Sequence, residues 1–292
     1  MTLKLTHGRA VALMVAITLM WSIAGVVTRH LEHARSFEVT FWRSFFTALS
    51  LLVILPLFQG RQVLGNFRQG GRALWLSGLC WSVMFTAFMV ALTLTTVANV
   101  LVTMAAGPLV TALIARIFIG YRIPRRTWAA IVVAGLGIVY MYGAKFSAGE
   151  ALGSLVALAV PLAAAVNWTI TQRLQAHGQR VDLVPAVLVG AVISSLVTLP
   201  LALPLQATRH DISLLALLGL VQLAIPCTLA VICARVLKAP EISLLSLLEV
   251  IFGIALAWIG AGEQPTREVL TGGVLVVGAL AVNEWIGWRQ RA

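Results

Sequence analysis

Charged side chains are scarce in this sequence, and their scarcity excludes a soluble fold. Asp, Glu, Lys and Arg make up 11% of the 292 residues, 60% are apolar, and the mean hydropathy is +0.96. A soluble domain needs about a quarter of its residues charged to cover its surface. The chain therefore uses lipid as part of its solvent, and we expect an all-α integral membrane protein whose partners include the bilayer.

Cysteine, histidine and aspartate are also few, and their positions exclude several kinds of chemistry. Cys80, Cys227 and Cys233 lie inside apolar runs and are typical of small core residues, which indicates neither a disulfide framework nor a metal site. The five histidines and both aspartates lie outside those runs, so no buried aspartate pair, Ser-His dyad or HExxH site exists within a span. There is also no P-loop. We expect no enzyme, no ATP-driven pump, and neither a cofactor nor a metal.

Ten apolar segments are long enough to cross a bilayer, which takes ~20 residues of helix for ~30 Å of hydrocarbon. The first segment follows Lys4 and Arg9, contains Trp21 and lacks a convincing cleavage site, so we interpret it as an uncleaved span and not as a signal peptide. The ten segments are 10–28, 38–58, 73–92, 97–119, 127–143, 152–172, 183–203, 213–236, 243–260 and 269–287.

The positive charges support ten crossings. The formal net charge of +11 is spread over short loops and forms no basic domain, which excludes nucleic acid as a partner. If the loops alternate between sides, 15 of the 21 Lys and Arg fall on one side and five on the other, with Arg43 left inside the second segment. Cytoplasmic loops are enriched in Lys and Arg. We therefore predict that both termini are cytoplasmic, in a multi-pass protein of a bacterial inner membrane.

The two halves of the sequence share a pattern. Pro108 and the turn at 119–124 align with Val250 and the turn at 261–265 at an offset of 142 to 143 residues, and Trp21 aligns with Trp168. Each half holds five segments, an odd number, so the second half must enter the membrane from the opposite side. We predict two five-helix inverted-topology repeats, 1–144 and 145–292. This plan is common among secondary transporters, which place the substrate site near the midplane.

Five short motifs occur in this order along the chain: MWS at 20–22, FWRSF at 41–45, GYR at 120–122, SLLE at 246–249 and GEQP at 262–265. Their order, spacing and duplication resemble the EamA type of the drug/metabolite transporter superfamily, over about 10–287. Two positions depart from the family pattern. Val250 follows Glu249 where the family usually has Pro, and Tyr121 stands where it often has Glu.

The resemblance implies a secondary transporter that exports small metabolites by alternating access through a central cavity between the repeats. Within the family the sequence is most similar to bacterial amino-acid exporters, so we expect neutral or aromatic amino acids as substrates. Drug-like organic cations are the alternative substrate class. A channel is the alternative from another functional class, although the sequence holds no selectivity-filter string and no ring of charges. We expect a monomer, with a dimer as the alternative.

Two charged residues, Arg43 and Glu249, lie well inside predicted spans. Burying either costs at least ~2.5 kcal/mol, which marks both as candidate functional residues. Arg43 lies about five residues, or ~8 Å, into its helix, so it either snorkels to the outer interface or serves the site. Glu249 either handles substrate or protons or forms a hydrogen bond between helices.

Five further residues are candidates for the wall of a substrate cavity: Trp21, Trp81, Asn99, Trp168 and Gln222. An indole can hold an ammonium group by a cation–π interaction worth ~0.5 to 2 kcal/mol, and an amide can bond a zwitterion. The alternatives are plain packing for the indoles and bonding to a neighbouring helix for the amides.

Three prolines interrupt the fourth, sixth and eighth spans, namely Pro108, Pro161 and Pro226. Each removes a backbone hydrogen bond, so we predict kinks that shape the cavity or form a gate, with simple tolerance in the bundle as the alternative. Five small residues are predicted to let the fifth and tenth spans pack closely: Ala130, Ala134, Gly135, Gly273 and Gly278.

Overall fold

The structure is a computed structural model that describes residues 5–34, 36–60, 62–119, 124–143, 148–176, 181–237 and 239–289. Throughout this part of the chain the regular structure is helical, with no strand. The GYR turn at 120–122 and the predicted repeat boundary at 144/145 lie outside the described residues. The first seven helices are α1 (His7–Thr28), α2 (Ser36–Gln59), α3 (Gln62–Gln69), α4 (Gly71–Leu94), α5 (Val97–Met104), α6 (Gly107–Ile119) and α7 (Arg125–Gly143). The others are α8 (Ala148–Ala176), α9 (Val184–Ala202), α10 (Arg209–Leu217), a π-helical segment (Leu218–Ala224), α11 (Ile225–Cys233), α12 (Ala239–Ala261) and α13 (Arg267–Arg289).

Each of the ten predicted spans coincides with helix. Two shorter apolar stretches, Trp128–Gly137 and Leu245–Ala261, lie in α7 and α12. Seven helical stretches of the described residues are long and apolar enough to cross a membrane: His7–Thr28, Ser36–Leu57, Gly71–Leu94, Val97–Ile114, Ala151–Thr171, Val184–Ala202 and Arg209–Cys233. The described part of the chain thus has the all-helical structure of a multi-pass membrane protein, whereas ten crossings and cytoplasmic termini stay predictions.

The prolines at the fourth and eighth spans coincide with irregular helix. Ala105 and Ala106 separate α5 from α6, and Pro108 occupies the second position of α6, where its missing N–H costs no helical bond. Pro226 is the second residue of α11, directly after the π-helical segment. Pro161 lies inside α8, which continues past it. Irregular helix thus accompanies two of the three prolines, as a break and as a π-helical segment, while the kinks and their part in a gate stay predictions.

Helix neighbours are preserved when the two halves are exchanged. α2 packs on α9 and α7 packs on α13, so each of these helices meets its own counterpart. The contact of α4 with α8 in one half corresponds to the contact of the π-helical segment and α11 with α1 after exchange. In the same way, the contact of α1 with α12 corresponds to the contact of α8 with α5 and α6. This exchange is the pattern that a two-fold pseudo-axis between repeats produces.

The two ends of α9 mark opposite faces of the bundle. Before α9, Asp182 pairs with Arg235 at 2.6 Å. After α9, the backbone N–H of Gln206 donates to both carboxylate oxygens of the buried Glu38 at 2.9 and 3.0 Å. Asp211, on the same face as Glu38, accepts backbone N–H groups of four residues: Glu32, His33, Ala34 and Thr208.

A second tie lies at the ends of α1 and α12. Arg29 donates through Nε to Glu263 at 2.7 Å and through its other nitrogens to the carbonyl oxygens of Leu92 and Thr95, both at 2.9 Å. The second oxygen of Glu263 accepts the backbone N–H of Val97 at 2.7 Å. Two side chains thereby join the ends of α1, α4 and α12 to the start of α5.

The close contact between α7 and α13 differs in detail from the prediction. A Cβ on Gly137 would lie 2.9 Å from the carbonyl oxygen of Gly272, so these backbones nearly touch there. Among the described residues outside their own helix turns, no atom lies within 4 Å of the Cβ position at Gly135 or Gly278. The small-residue prediction is therefore wrong about Gly135 and Gly278, because the contact falls on the next face of each helix.

Candidate functional site

A cavity lies where the two halves meet, bounded by α1, α2, α4, α5, α6, α8, the π-helical segment, α11 and α12. Its volume is about 150 Å³, well above the roughly 10 to 15 Å³ that a cavity needs to hold one water. The walls are mainly apolar. A small metabolite fits this space.

Eight of the ten predicted site residues line this cavity: Trp21, Arg43, Trp81, Pro108, Pro161, Trp168, Gln222 and Glu249. Asn99 and Pro226 are not in the lining. Asn99 lies in the first turn of α5, where its amide donates to the Thr95 hydroxyl at 3.0 Å. Pro226 starts α11 next to Cys227, which does reach the cavity. The structure thus shows the placement of these side chains, while their roles in binding and gating stay predictions.

Three indoles form the aromatic part of the wall. The rings of Trp81 and Trp168 meet edge to face, with centroids 6.1 Å apart and an interplanar angle of 86°. Trp21 lines the cavity together with Cys227. The Trp81 Nε1 atom is buried and has no hydrogen-bond partner among the described residues. A buried indole N–H normally has one, so Trp81 leaves an open donor on a residue of the cavity wall.

Arg43 is fully buried and does not reach a membrane interface, so the structure does not support snorkelling. Its Nη2 donates to the Phe85 carbonyl oxygen at 2.6 Å, and its Nη1 donates to Gln222 Oε1 at 3.1 Å. The guanidinium also lies 5.8 Å from the centroid of the Phe88 ring. Among the described residues Nε has no partner. All these contacts are neutral, so the Arg43 cation has no counter-ion within the described part of the chain.

Gln222 is placed by the π-helical segment. One end of its amide accepts from Arg43, and the other contacts the Trp21 carbonyl oxygen at 3.5 Å. Residues five apart lie on one face in π-helical geometry. This explains how Gln222 and Cys227, which are five residues apart, both face the cavity.

Glu249 is buried on α12 and lines the same cavity. The Ser22 hydroxyl donates to the backbone carbonyl oxygen of Glu249 at 3.3 Å. The Glu249 carboxyl itself makes no hydrogen bond within the part of the chain that the structure describes. Among the described residues, therefore, no group serves as partner for this carboxyl in a hydrogen bond between two helices.

Several lining residues were not predicted, and some carry a signal in the sequence. Phe85 and Phe88 follow Trp81 by four and seven residues and so share its face of α4. This spacing would have added them to the aromatic wall. Cys227 was interpreted as a core residue; it lies against the cavity because of the π-helical segment, which has no residue signature.

One group of side chains in the described residues could hold a metal ion, namely Glu32, His210 and Asp211, with ligand atoms within 4.8 Å of one another. This group lies in the loop after α1 and in the first turn of α10, outside the cavity lining, and the Asp211 oxygens already accept backbone N–H groups. We assign no metal there. The absence of a cofactor also stays a prediction.

Comparison with known proteins identifies the architecture. The model of the EamA-like transporter family matches the chain twice, at residues 8–143 and 151–284. A solved structure titled "Crystal structure of protein" superposes with a TM-score of 0.66, covers 96% of this chain and 99% of its own, and is 19% identical in sequence. At that identity the likeness shows the fold alone. No curated protein sequence matches the chain.

Proposed function

Because the chain belongs to the EamA-like transporter family, we propose that it exports neutral or aromatic amino acids by alternating access through the cavity between its halves. Family membership assigns it to transport of small molecules across a bilayer and not to catalysis. The amino-acid substrate, the outward direction and the bacterial inner membrane are our proposals. They agree with the resemblance of the sequence to the bacterial amino-acid exporter YddG.

The lining of the cavity carries the substrate proposal. It combines three indoles with one cation, Arg43, and one acid, Glu249. Ligand sites are mostly apolar with a few convergent polar groups that orient the ligand. An amino acid has an apolar side chain, an ammonium and a carboxylate, and this lining offers a contact for each.

Two observations support ten crossings in two inverted repeats, with the boundary at 144/145 and both termini cytoplasmic. Helix neighbours are preserved when the halves are exchanged. Loops also meet on two faces, since Arg29 contacts Glu263 at one and Arg235 contacts Asp182 at the other. Reporter fusions after Lys145 and after Lys238 should report opposite compartments. The same compartment for both would contradict the proposed topology.

Drug-like organic cations remain the second substrate class. The unpaired acid Glu249 beside the indole Trp21 would also suit an organic cation, because both groups attract positive charge. The carboxylate distinguishes amino acids from organic cations as substrates. An amino acid supplies a counter-ion for Arg43, whereas an organic cation does not.

Purified protein in proteoliposomes tests the function. We expect saturable uptake of labelled neutral and aromatic amino acids, accelerated by unlabelled amino acid on the opposite side. Such counterflow is a property of a carrier and not of a channel. Empty liposomes are the control. Uptake of organic cations without any amino-acid uptake would favour the second substrate class, and flux that neither saturates nor shows counterflow would favour a channel.

A further inference from the structure

Arg43 and Glu249 are opposite charges that line one cavity without pairing with each other. Arg43 lies on α2 and Glu249 on α12, so each half of the molecule contributes one of them. No nitrogen–oxygen distance between them is 4.0 Å or less, the limit for an ion pair. In the salt bridge between Arg29 and Glu263, by comparison, the nitrogen and oxygen atoms are 2.7 Å apart.

The Arg43 guanidinium has donors to spare. It carries five N–H groups, and the Phe85 carbonyl and Gln222 amide account for two of them. Both acceptors are neutral. A buried charge is costly unless it is paired, and a guanidinium binds a carboxylate through two parallel hydrogen bonds. A carboxylate is therefore the group that Arg43 lacks.

Glu249 has the complementary vacancy. Within the described residues no cation lies within 4.0 Å of its carboxyl, and that carboxyl has no hydrogen-bond donor there. Trp21 and Cys227 line the same cavity and are uncharged neighbours in this part of the wall. An ammonium group would supply both a charge and three donors.

We infer that the cavity binds its substrate as a zwitterion in one orientation, with the carboxylate at Arg43 and the ammonium at Glu249. The inference rests on the proposed function and adds the polarity of the site. A zwitterion compensates both buried charges, whereas an amine or an acid of the same shape compensates one and leaves the other unpaired. Arg43 and Glu249 are thus the residues that select amino acids over their singly charged analogues.

Three ligands of nearly the same shape test this polarity: phenylalanine, 2-phenylethylamine, which lacks the carboxylate, and 3-phenylpropanoate, which lacks the ammonium. Affinities come from competition with labelled phenylalanine in detergent and from inhibition of its uptake in proteoliposomes. A hydrogen bond to a charged group contributes enough for roughly a tenfold to hundredfold preference. We expect the wild type to prefer phenylalanine over either analogue by that factor.

The two charge-removing variants should lose different parts of the preference. Arg43→Gln should bind phenylalanine no better than the amine while still rejecting the acid. Glu249→Gln should bind phenylalanine no better than the acid while still rejecting the amine. The matched controls are Arg235→Gln and Asp182→Asn, which make the same chemical changes in an ion pair far from the cavity, and both should keep the wild-type preference.

The outcomes separate this inference from the proposed function. If the wild type binds phenylalanine but both variants weaken all three ligands equally, the polarity is wrong and amino-acid transport stands. If the wild type binds none of the three, the amino-acid proposal itself fails. If Glu249→Gln keeps its ligand preference but no longer responds to an imposed pH gradient, Glu249 handles protons and the assigned ammonium site is wrong.

A variant that retains the charge covers the case in which Arg43→Gln does not fold. Arg43→Lys keeps the cation but loses the two-pronged geometry, so it should bind phenylalanine more weakly and still prefer it over the amine. If Arg43→Lys binds phenylalanine and the amine equally well, the charge at this position does not select the carboxylate, and the inference is overturned.

Discussion

The two halves of the molecule cross their neighbours in the same way but carry different residues into the cavity. A Cβ on Gly78 of α4 would lie 3.4 Å from the carbonyl oxygen of Ala186 on α9, and a Cβ on Gly219 of the π-helical segment would lie 2.9 Å from the carbonyl oxygen of Arg43 on α2. These two crossings correspond when the halves are exchanged. Arg43 therefore stands where the second half has Ala186.

Glu249 is asymmetric in the opposite sense, because it occurs in the second half and its aligned residue in the first half is uncharged. The offset of 142 residues that aligns Pro108 with Val250 also aligns Gly107 with Glu249, and both of the latter line the cavity. Trp21 and Trp168, by contrast, match each other. Helix packing and the aromatic wall are thus duplicated, whereas each charge occurs in one half. Symmetry shapes the cavity, and departures from symmetry give it polarity.

Crowding the two equivalent crossings should produce the largest effects. Gly219→Ala places a Cβ 2.9 Å from two backbone atoms of α2, while Gly78→Ala meets a side-chain atom of Val189 at 2.5 Å. Overpacking typically costs about 1 to 3 kcal/mol, so both should lower the thermal midpoint in detergent. We expect only Gly219→Ala to abolish transport, because it displaces the backbone that carries Arg43.

Gly278→Ala is the control for these crossings, since no described residue outside its own helix turn has an atom within 4 Å of its Cβ position. It should leave both the midpoint and transport unchanged. Equal transport by the folded Gly219→Ala and Gly78→Ala proteins would contradict the claim that Arg43 distinguishes the two crossings.

The matched indoles should give smaller effects that are equal. Trp21→Ala and Trp168→Ala each remove one face of the aromatic wall, and a cation–π contact of ~0.5 to 2 kcal/mol corresponds to roughly 2- to 30-fold in transport. Initial uptake rates in proteoliposomes measure the loss. The control is Trp75→Ala, whose side chain is 61% exposed at the start of α4. Unchanged transport by both cavity variants would mean that these indoles serve packing.

Much of this arrangement follows from the sequence, for identifiable reasons. A charge inside an apolar run is conspicuous, which is why Arg43 and Glu249 were found, and repetition exposed Trp21 and Trp168. Asn99 was predicted in the wall because a polar residue near a span looks functional. It instead bonds Thr95 beside the turn that starts its helix.

Other features depend on tertiary contacts that a sequence pattern does not contain. The length of its side chain made snorkelling conceivable for Arg43, but the neighbouring Phe85 carbonyl and Gln222 amide hold it inside. The π-helical segment is equally unpredictable, since a change of helical period leaves the hydropathy of Leu218–Ala224 unaltered.

The tie between Arg29 and Glu263 should give the smallest effect and again compare the halves. The residue that aligns with Glu263 in the first half is Tyr121, which lies outside the described residues and has no carboxylate. We expect Arg29→Gln or Glu263→Gln to open this face more often. A partly exposed ion pair contributes up to about 1 kcal/mol. The rate at which Cys227 in the cavity is labelled from outside should therefore rise by up to about fivefold.

Labelling of Cys227 by a membrane-impermeant maleimide measures this opening, because Cys227 lines the cavity. Cys80 and Cys233 are replaced by Ala so that a single thiol remains. The double variant should label no faster than either single variant if Arg29 and Glu263 act as one tie. Independent, additive increases would show that the two residues hold the face closed separately.

The π-helical segment makes one wall of the cavity sensitive to chain length. A π-helical turn is equivalent to an α-helix with one residue inserted, and each residue of an α-helix turns the chain by about 100° and advances it 1.5 Å. Deleting one residue before Gln222, within 218–221, would let the segment relax to an α-helix, in which residues five apart point about 140° away from each other, so Gln222 and Cys227 would no longer share a face. Such a deletion keeps Gln222, Leu223 and Cys227 in the protein and still dismantles this wall of the cavity, so it acts as a change of register.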